Sequence, residues 1–490
     1  MNVLSLAQVY KTTATRWTSV CVTIFLVATL RNQANAERPH IVYINADDLG
    51  VMDVGYNDPK FRTPHIDRLA QEGMVFTSAY APAANCAPSR ACVHSGQWSP
   101  RHGVYTVGSS ERGKAKTRRL IPIENTSFLD ADCVTLAEAL QADGYRTIHL
   151  GKYHIGKDPL QDGFDVNIGG DASGSPSGGY YSPWKKGAMA DWTDAVDANT
   201  HRVDVFAQEA VEFMQDNHAS PMFIHFSPYL VHSPLTPVPE YVDNYQGSEL
   251  NAKYASMVEK IDEAIGRVLD AIERLELTES TLVVFSSDNG GIAAFHSQRP
   301  LRGGKGSYYE GGVREPLVMR WPGKIQPGST CDEAVNTMDF YPTFLEAAGI
   351  RLPTAESLDG VSLMPLMTES GPWDPVPQFW HFPVYLQAYD GALDDARDPL
   401  FRTRPGSAMR TGKWKLHEYF EDGALELYDL SSDPGERHDL SDTMPEQTAE
   451  LHELLMRWRN QTGAPVPSQA NPKYDAEFER RAIEKVQATK

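Results

Sequence analysis

Short runs of apolar residues alternate along the chain with longer segments in which apolar positions recur every three or four residues. Four runs rich in β-branched and aromatic residues predict buried strands, at residues 40–45, 146–150, 221–226 and 281–286. The clearest helical period lies at residues 254–277, where one apolar stripe is formed by Ile261, Ile265, Val268, Ile272 and Leu275. Buried strands that alternate with amphipathic helices predict an α/β domain.

Polar side chains that suit a metal ion follow two of these predicted strands. Asp47 and Asp48 come directly after the first strand, and Asp288 and Asn289 closely follow the last. Open α/β sheets bind ligands at the carboxyl ends of their strands, and carboxylate and amide oxygens are suitable ligands for Ca²⁺ or Mg²⁺. Each pair alone is equally typical of a solvated turn. Two such pairs, each after a buried strand, favour a metal site.

A lysine and a histidine follow a third predicted strand. Lys152 and His154 lie two positions apart in the sequence Gly-Lys-Tyr-His, directly after residues 146–150. On an extended segment, residues two apart point to the same side. We therefore expect a lysine that binds an anion to lie beside a histidine that acts as a base. A histidine in such a place is otherwise often structural, and the neighbouring motifs favour the functional interpretation.

Residues 85–96 have the sequence Asn-Cys-Ala-Pro-Ser-Arg-Ala-Cys-Val-His-Ser-Gly. This stretch resembles the signature of type I sulfatases, Cys-x-Pro-Ser-Arg followed by x-x-Leu-x-Thr-Gly. Val93 and Ser95 stand where the family has Leu and Thr. The resemblance extends over about residues 39–460. It implies an alkaline-phosphatase-like α/β domain with a mostly parallel central sheet, and a smaller C-terminal α+β subdomain with an antiparallel sheet.

The same resemblance implies the chemistry of residue 86. In these sulfatases a formylglycine-generating enzyme oxidises the cysteine to an aldehyde, whose hydrate attacks sulfur with one hydroxyl and expels sulfate by deprotonation of the other. The family's motifs imply catalytic roles for Cys86, Arg90, Lys152, His154, His232 and Lys305. Those implied to bind the substrate sulfate are Lys152, His232 and Lys305. One Ca²⁺ is implied to be held by Asp47, Asp48, Asp288, Asn289 and the modified Cys86.

The expected substrate is a sulfated polysaccharide or its oligosaccharides. A basic run at residues 112–119 favours this polyanion, although such runs are also typical of solvated surface. Three aromatic residues of a long loop are candidates for stacking on a sugar or for the core, Tyr180, Tyr181 and Trp184. His381 and Tyr385 are expected to reach the pocket from the C-terminal subdomain.

Two alternatives stay open at this point. The first is a phosphate or phosphonate monoester hydrolase of the same superfamily that uses the same aldehyde. The second is an inactive glycan-binding relative in which Cys86 remains a thiol. The ratio of the rates of phosphate and sulfate ester hydrolysis distinguishes the phosphoesterase from a sulfatase. The mass of the peptide that contains residue 86 distinguishes the inactive relative, because only an active enzyme carries the aldehyde.

Length and charge limit the remaining possibilities. A chain of 490 residues suits a large and a smaller domain, which we place at residues 37–370 and 371–462, followed by an exposed tail at residues 463–490. The formal net charge of −20 argues against a nucleic-acid binder, because an acidic surface repels phosphates. An anionic substrate therefore requires a local cluster of basic residues.

The N-terminal segment indicates export. Residues 1–36 have the features of a signal peptide, with Lys11 and Arg16 before an apolar run at residues 20–30 and a small-x-small cleavage site at residues 34–36. An uncleaved membrane anchor is the alternative, because Arg31 lies close to the apolar run. We expect a bacterial protein that is periplasmic or secreted, without stable membrane association after cleavage.

Overall fold

A computed structural model describes residues 38–352 and 358–488. The predicted signal peptide at residues 1–36 lies outside the described residues. The strands are β1 (His40–Ala46), β2 (Met74–Phe76), β3 (Ala79–Tyr80), β4 (Arg146–Gly151), β5 (Val166–Ile168), β6 (Met222–Ser227), β7 (Thr281–Ser287), β8 (Leu317–Arg320), β9 (Ser329–Cys331), β10 (Val335–Asn336), β11 (Gln378–Phe382), β12 (Leu386–Gln387), β13 (Phe401–Thr403), β14 (Gly406–Thr411), β15 (Trp414–Tyr419) and β16 (Leu425–Asp429). The α-helices are α1 (Pro64–Glu72), α2 (Cys86–Ser95), α3 (Ser99–His102), α4 (Leu136–Ala142), α5 (Arg202–Asn217), α6 (Ala252–Arg274), α7 (Glu310–Val313), α8 (Phe340–Ala347), α9 (Met364–Thr368), α10 (Pro445–Thr462) and α11 (Ala476–Gln487).

The largest sheet has the strand order β5-β4-β6-β1-β7-β8-β2-β9. Neighbours from β5 through β7 run parallel, whereas β8 is antiparallel to both β7 and β2. The predicted α/β class with a mostly parallel central sheet is confirmed. Since β4, β6, β1 and β7 share one direction, their carboxyl ends meet at the same edge of the sheet.

Both faces of this sheet are covered, which explains why its strands are apolar without alternation. Val42 and Ile44 of β1 point into a core formed with α1, α5 and α6. Ile41 and Tyr43 point to the opposite face, into a core formed with α2, α4 and α8. The long helix predicted at residues 254–277 is α6, and its apolar stripe is buried in the first of these cores. No helix in the described parts of the chain is long and apolar enough to cross a bilayer.

A second sheet, with the order β11-β14-β15-β16, is antiparallel throughout and confirms the smaller C-terminal sheet. Helix α10 covers one face of it through Leu451, Leu455 and Trp458. A buried ionic network joins this sheet to the segment that leads into α7. Lys415 Nζ lies 2.7 Å from Glu310 Oε1 and 3.2 Å from Glu436 Oε1, and all three side chains are fully buried.

The segment predicted as an exposed tail, residues 463–490, contains a helix that packs on the rest of the chain, although most of its described residues are exposed. Helix α11 lies in this segment, and Glu479 on it is 4% exposed because Arg404 Nη2 donates to its Oε1 at 2.8 Å. The tail also contacts the basic run at residues 112–119, where Lys116 Nζ pairs with Asp475 Oδ2 at 3.2 Å. Arg119 Nη2 likewise lies 3.4 Å from Glu479 Oε2, so acidic tail residues pair with part of the run, while Lys114, Lys116 and Arg119 remain exposed.

Candidate active site

Four oxygen-bearing side chains meet at the carboxyl ends of β1 and β7. These strands are direct neighbours, with Ala46 opposite Ser287, so the residues that follow them are brought together. Asp48 N donates to Asp288 Oδ1 at 3.1 Å, and Asn289 Nδ2 donates to Asp48 Oδ1 at 2.9 Å. Asp47 and its three neighbours are each at most 2% exposed. Three carboxylates buried this closely require compensating positive charge.

The donor set fits a hard divalent cation. Among the described residues, Asn289 Oδ1 is buried without a hydrogen-bond partner. Because a buried amide oxygen without a partner is costly, this atom is available as a ligand. Carboxylate oxygens of Asp47 and Asp48 lie within 4.8 Å of a His232 ring nitrogen and of each other. Carboxylates together with an amide oxygen are the ligands that Ca²⁺ prefers.

Each carboxylate of the site is paired with one buried cation. Lys152 Nζ lies 2.8 Å from both oxygens of Asp47, and Arg90 Nε lies 2.8 Å from Asp288 Oδ2. Lys305 Nζ lies 2.6 Å from Asp48 Oδ1. Burial alone would lower the pKa of Lys152, but the carboxylate of Asp47 raises it. The lysine is therefore a fixed positive charge at neutral pH.

Cys86 begins helix α2, one turn before Arg90, so both side chains lie on the same side of the helix. Its side chain is 2% exposed. Burial would lower the pKa of Lys305, and the carboxylate of Asp48 instead raises it well above its usual value. Arg90 Nη1 donates to Ser227 Oγ at 2.6 Å and to the carbonyl oxygen of Lys152 at 2.9 Å. Arg90 thus holds the start of α2 against the ends of β4 and β6.

Two histidines complete this edge of the sheet. His232 Nδ1 lies 2.6 Å from the carbonyl oxygen of Ser233, which makes Nδ1 the protonated ring nitrogen and leaves Nε2, 3.8 Å from Asp48 Oδ2, to face the site. Burial, followed by Lys305, lowers the pKa of His232 to about 3. Burial, followed by Lys152, also lowers the pKa of His154 well below its usual value, so its ring is a neutral base. Its backbone is left-handed at φ 68°, so the segment of Lys152 and His154 is not extended as predicted.

The comparisons with known proteins agree with this geometry. Residues 39–350 match the family model described as Sulfatase, and residues 304–461 match the one described as N-sulphoglucosamine sulphohydrolase, C-terminal. The chain belongs to the sulfatase family. This sulfatase is therefore a sulfuric ester hydrolase of the alkaline phosphatase superfamily.

Similar proteins cover nearly its whole length. A sulfatase of Formosa agariphila is 30% identical, over 90% of this chain and 92% of the relative. N-acetylgalactosamine-6-sulfatase of Mus musculus is 30% identical, over 82% of each chain. Among solved structures, Ps i-CgsB has a TM-score of 0.72 at 26% identity, and the match covers 91% of this chain and 98% of Ps i-CgsB. The same protein is also known in complex with k-i-k-neocarrahexaose.

Several residues predicted to contact substrate are instead structural in this sulfatase. Tyr180 and Trp184 are 2% and 1% exposed, so neither ring is open to a sugar. His381 Nδ1 is hydrogen-bonded to Ser407 Oγ at 2.8 Å, and the fully buried Tyr385 accepts at its hydroxyl from Leu120 N at 3.0 Å. Of the two roles left open for Tyr180 and Trp184, the structure supports the core, whereas His381 and Tyr385 form hydrogen bonds within the protein.

Sequence reasoning missed the residues that support the histidines and Arg90. The hydroxyl of Tyr180 donates to the carbonyl oxygens of Tyr229 and His232 at 2.7 and 2.6 Å, which holds the turn that carries His232. Ser227 is the hydroxyl partner of Arg90 at the end of β6. Ser227 could have been found from its place at the end of a predicted strand, whereas the role of Tyr180 has no sequence signal.

Proposed function

We propose that this sulfatase hydrolyses sulfate esters of a sulfated carbohydrate through formylglycine formed from Cys86, with one Ca²⁺ held by Asp47, Asp48, Asp288 and Asn289. The observation that carries the proposal is the balance of charge in the site. Three carboxylates face three cations in ion pairs, Asp47 with Lys152, Asp48 with Lys305 and Asp288 with Arg90. A divalent ion on the carboxylates would leave an excess of two positive charges, which suits a sulfate ester with one negative charge.

The oxygen atoms of the substrate sulfate would be bound by the cations that now pair with carboxylates. Lys152 and Lys305 have flexible side chains and can turn their ammonium groups from Asp47 and Asp48 to the sulfate. Arg90 keeps its place through Ser227 and the carbonyl oxygen of Lys152, so it orients residue 86. Ca²⁺ would add charge that draws electrons from the sulfate oxygens.

Formylglycine would supply, as its hydrate, one hydroxyl for attack on sulfur and a second whose deprotonation releases sulfate. His154 is the proposed base for that proton, because burial keeps its imidazole neutral. His232 presents Nε2 to the site, and an anionic sulfate beside it favours the protonated ring. In that form, Nε2 can donate a proton to the leaving oxygen of the sugar.

The substrate class is supported by the relatives. The mouse relative is named as a sulfatase of N-acetylgalactosamine, and Ps i-CgsB is known in complex with k-i-k-neocarrahexaose. We extend this class to the present sulfatase. The candidate signal peptide at residues 1–36 and the need for a formylglycine-generating enzyme fit export to a bacterial periplasm or to the medium.

The proposal is tested by sulfate release from sulfated oligosaccharides, an aryl sulfate and the matching phosphate ester, with protein coexpressed with a formylglycine-generating enzyme. We expect release from an oligosaccharide, abolished by Cys86→Ala. Cys92→Ala is the matched control, because Cys92 is buried in the same helix and lies outside the proposed site. Faster phosphate than sulfate hydrolysis would favour the phosphoesterase alternative. Full activity of Cys86→Ala would refute the aldehyde.

A further inference from the structure

The loop of residues 388–400 connects β12 to β13 and lies beside the backbone that carries Lys305. Arg402 in β13 donates from Nη1 to the carbonyl oxygen of Lys305 at 2.9 Å and from Nε to that of Gln387 at 3.0 Å. A side chain at Gly306 would begin only 2.7 Å from Arg402 Nη1, so the guanidinium is packed closely against this backbone. Arg402 therefore joins the start of the 388–400 loop to the active site.

Tyr389, at the start of the same loop, stacks on this guanidinium. Arg402 Cζ lies 3.4 Å from the centre of the tyrosine ring, within the range of a cation–π contact. The backbone of Tyr389 is also held, because its N–H donates to the buried carboxylate of Asp394 at 2.7 Å. With Arg402 on one face, the opposite face of the ring is left for another partner.

The exposure of Tyr389 is unusual for this protein. Its side chain is 51% exposed, whereas Arg402 beneath it is 5% exposed. Of the large apolar side chains that stand exposed in the described residues, Tyr389 is the only aromatic one. An aromatic ring that is held rigidly and left open to solvent is typical of binding surfaces.

Tyr389 lies near the charges proposed to bind sulfate. One guanidinium connects the two, because Arg402 Cζ lies 3.4 Å from the centre of the Tyr389 ring and Arg402 Nη1 donates to the carbonyl oxygen of Lys305 at 2.9 Å. The Tyr389 ring is therefore separated from the backbone of Lys305 by this one guanidinium group. Because the ring itself is exposed, it lies outside the buried cluster of reacting groups.

We propose that Tyr389 is a platform on which this sulfatase stacks a sugar ring adjacent to the sulfated one, and that it thereby favours oligosaccharides over small sulfate esters. The inference rests on the proposed function. The apolar face of a pyranose matches the open face of the tyrosine ring in size and polarity. Arg402 is a positioning residue, because it orients the ring from the Lys305 backbone.

The test compares wild type, Tyr389→Ala and Tyr389→Phe on the sulfated oligosaccharide that wild type hydrolyses fastest and on the corresponding sulfated monosaccharide. We expect Tyr389→Ala to raise KM for the oligosaccharide about tenfold, with kcat and the monosaccharide KM unchanged. Tyr389→Phe keeps the ring and should behave as wild type. Leu160→Ala removes an equally exposed apolar side chain from another surface and should change neither constant.

The outcomes separate this inference from the proposed function. Equal KM values for wild type and Tyr389→Ala on an oligosaccharide would overturn the platform alone. Equal losses on both substrates would show that Tyr389 supports Lys305 and would also overturn it. If wild type releases sulfate from an aryl sulfate but from no carbohydrate in the panel, the carbohydrate substrate fails and the platform fails with it.

Discussion

The buried ion pairs of Lys415 give a prediction whose size follows from the structure. Lys415→Met removes the ammonium that lies between Glu310 and Glu436, while all three side chains are fully buried. Glu310 would keep the hydroxyl of Tyr80 at 2.7 Å, and Glu436 would keep His417 Nε2 at 2.9 Å. The carboxylates of Glu310 and Glu436 would then lie in an interior without water and with less positive charge to compensate them. Removal of one partner from a buried pair costs about 3–5 kcal/mol, which is the expected loss of unfolding free energy.

A control and a rescue make this prediction specific. Lys413→Met removes a lysine two residues away whose side chain is 50% exposed and pairs with Asp429 at 2.6 Å, and it should cost less than about 1 kcal/mol. Adding Glu310→Gln to Lys415→Met leaves one buried carboxylate in place of two, with Arg314 still 3.6 Å from residue 310, and should recover part of the stability. Thermal and urea unfolding of the four proteins measure these differences.

The same network should also affect activity. Glu310 lies at the end of the segment that carries Lys305. A displacement of Glu310 would therefore make Lys305, which is proposed to bind sulfate, less well positioned. We expect a higher KM in the folded Lys415→Met protein. If Lys415→Met is no less stable than Lys413→Met, the network does not hold the C-terminal sheet against this segment, and the reasoning is refuted.

Three further predictions concern metal, pH and the C-terminal segment. Asn289→Leu should raise the calcium concentration needed for half-maximal thermal stabilisation at least tenfold, because Asn289 Oδ1 is a proposed ligand. Equal calcium titrations of wild type and Asn289→Leu would contradict that assignment. Burial lowers the pKa values of His102 and His381 to about 3, whereas in the unfolded chain they are near 6.5. The neutral form of each histidine therefore contributes fully to the free energy of unfolding above pH 6.5. Below pH 6.5 each histidine lowers that free energy by about 1.4 kcal/mol per pH unit. His381→Gln should have a shallower fall in unfolding free energy between pH 6.5 and 5, and an unchanged slope would contradict this. A chain that ends at residue 462 lacks the partner of Arg404 on α11 and should be cleaved faster by trypsin at residues 112–119, whereas equal cleavage rates would show that the tail does not protect them.

The central sheet and the cluster of polar residues at its edge could be predicted because their causes are local in sequence. The apolar runs at residues 40–45 and 281–286 form β1 and β7, and the parallel pairing of these strands brings Asp48 and Asp288 together. The lysine after β4 reaches the same edge for the same reason. The composition of buried strands thus predicts the strands, and the pairing of the strands positions the polar residues that follow them.

Contacts between distant loops could not be predicted in this way. Tyr180 supports His232 across 52 positions, and nothing in its neighbourhood of small and aromatic residues distinguishes a core tyrosine from a sugar platform. Conversely, Tyr389 lies in a polar segment with no motif, and its place depends on Arg402. The left-handed backbone at His154 is likewise imposed by its surroundings, because a histidine in isolation disfavours it.

The aldehyde at residue 86 is the central claim, and the mass of the tryptic peptide that contains it tests the claim most directly. The protein is coexpressed with a formylglycine-generating enzyme, and sulfate release is measured on the same sample. We predict a peptide in which the thiol and one hydrogen are replaced by a carbonyl oxygen, in a proportion that rises with specific activity. Full sulfatase activity in a sample whose residue 86 is entirely cysteine would contradict the account.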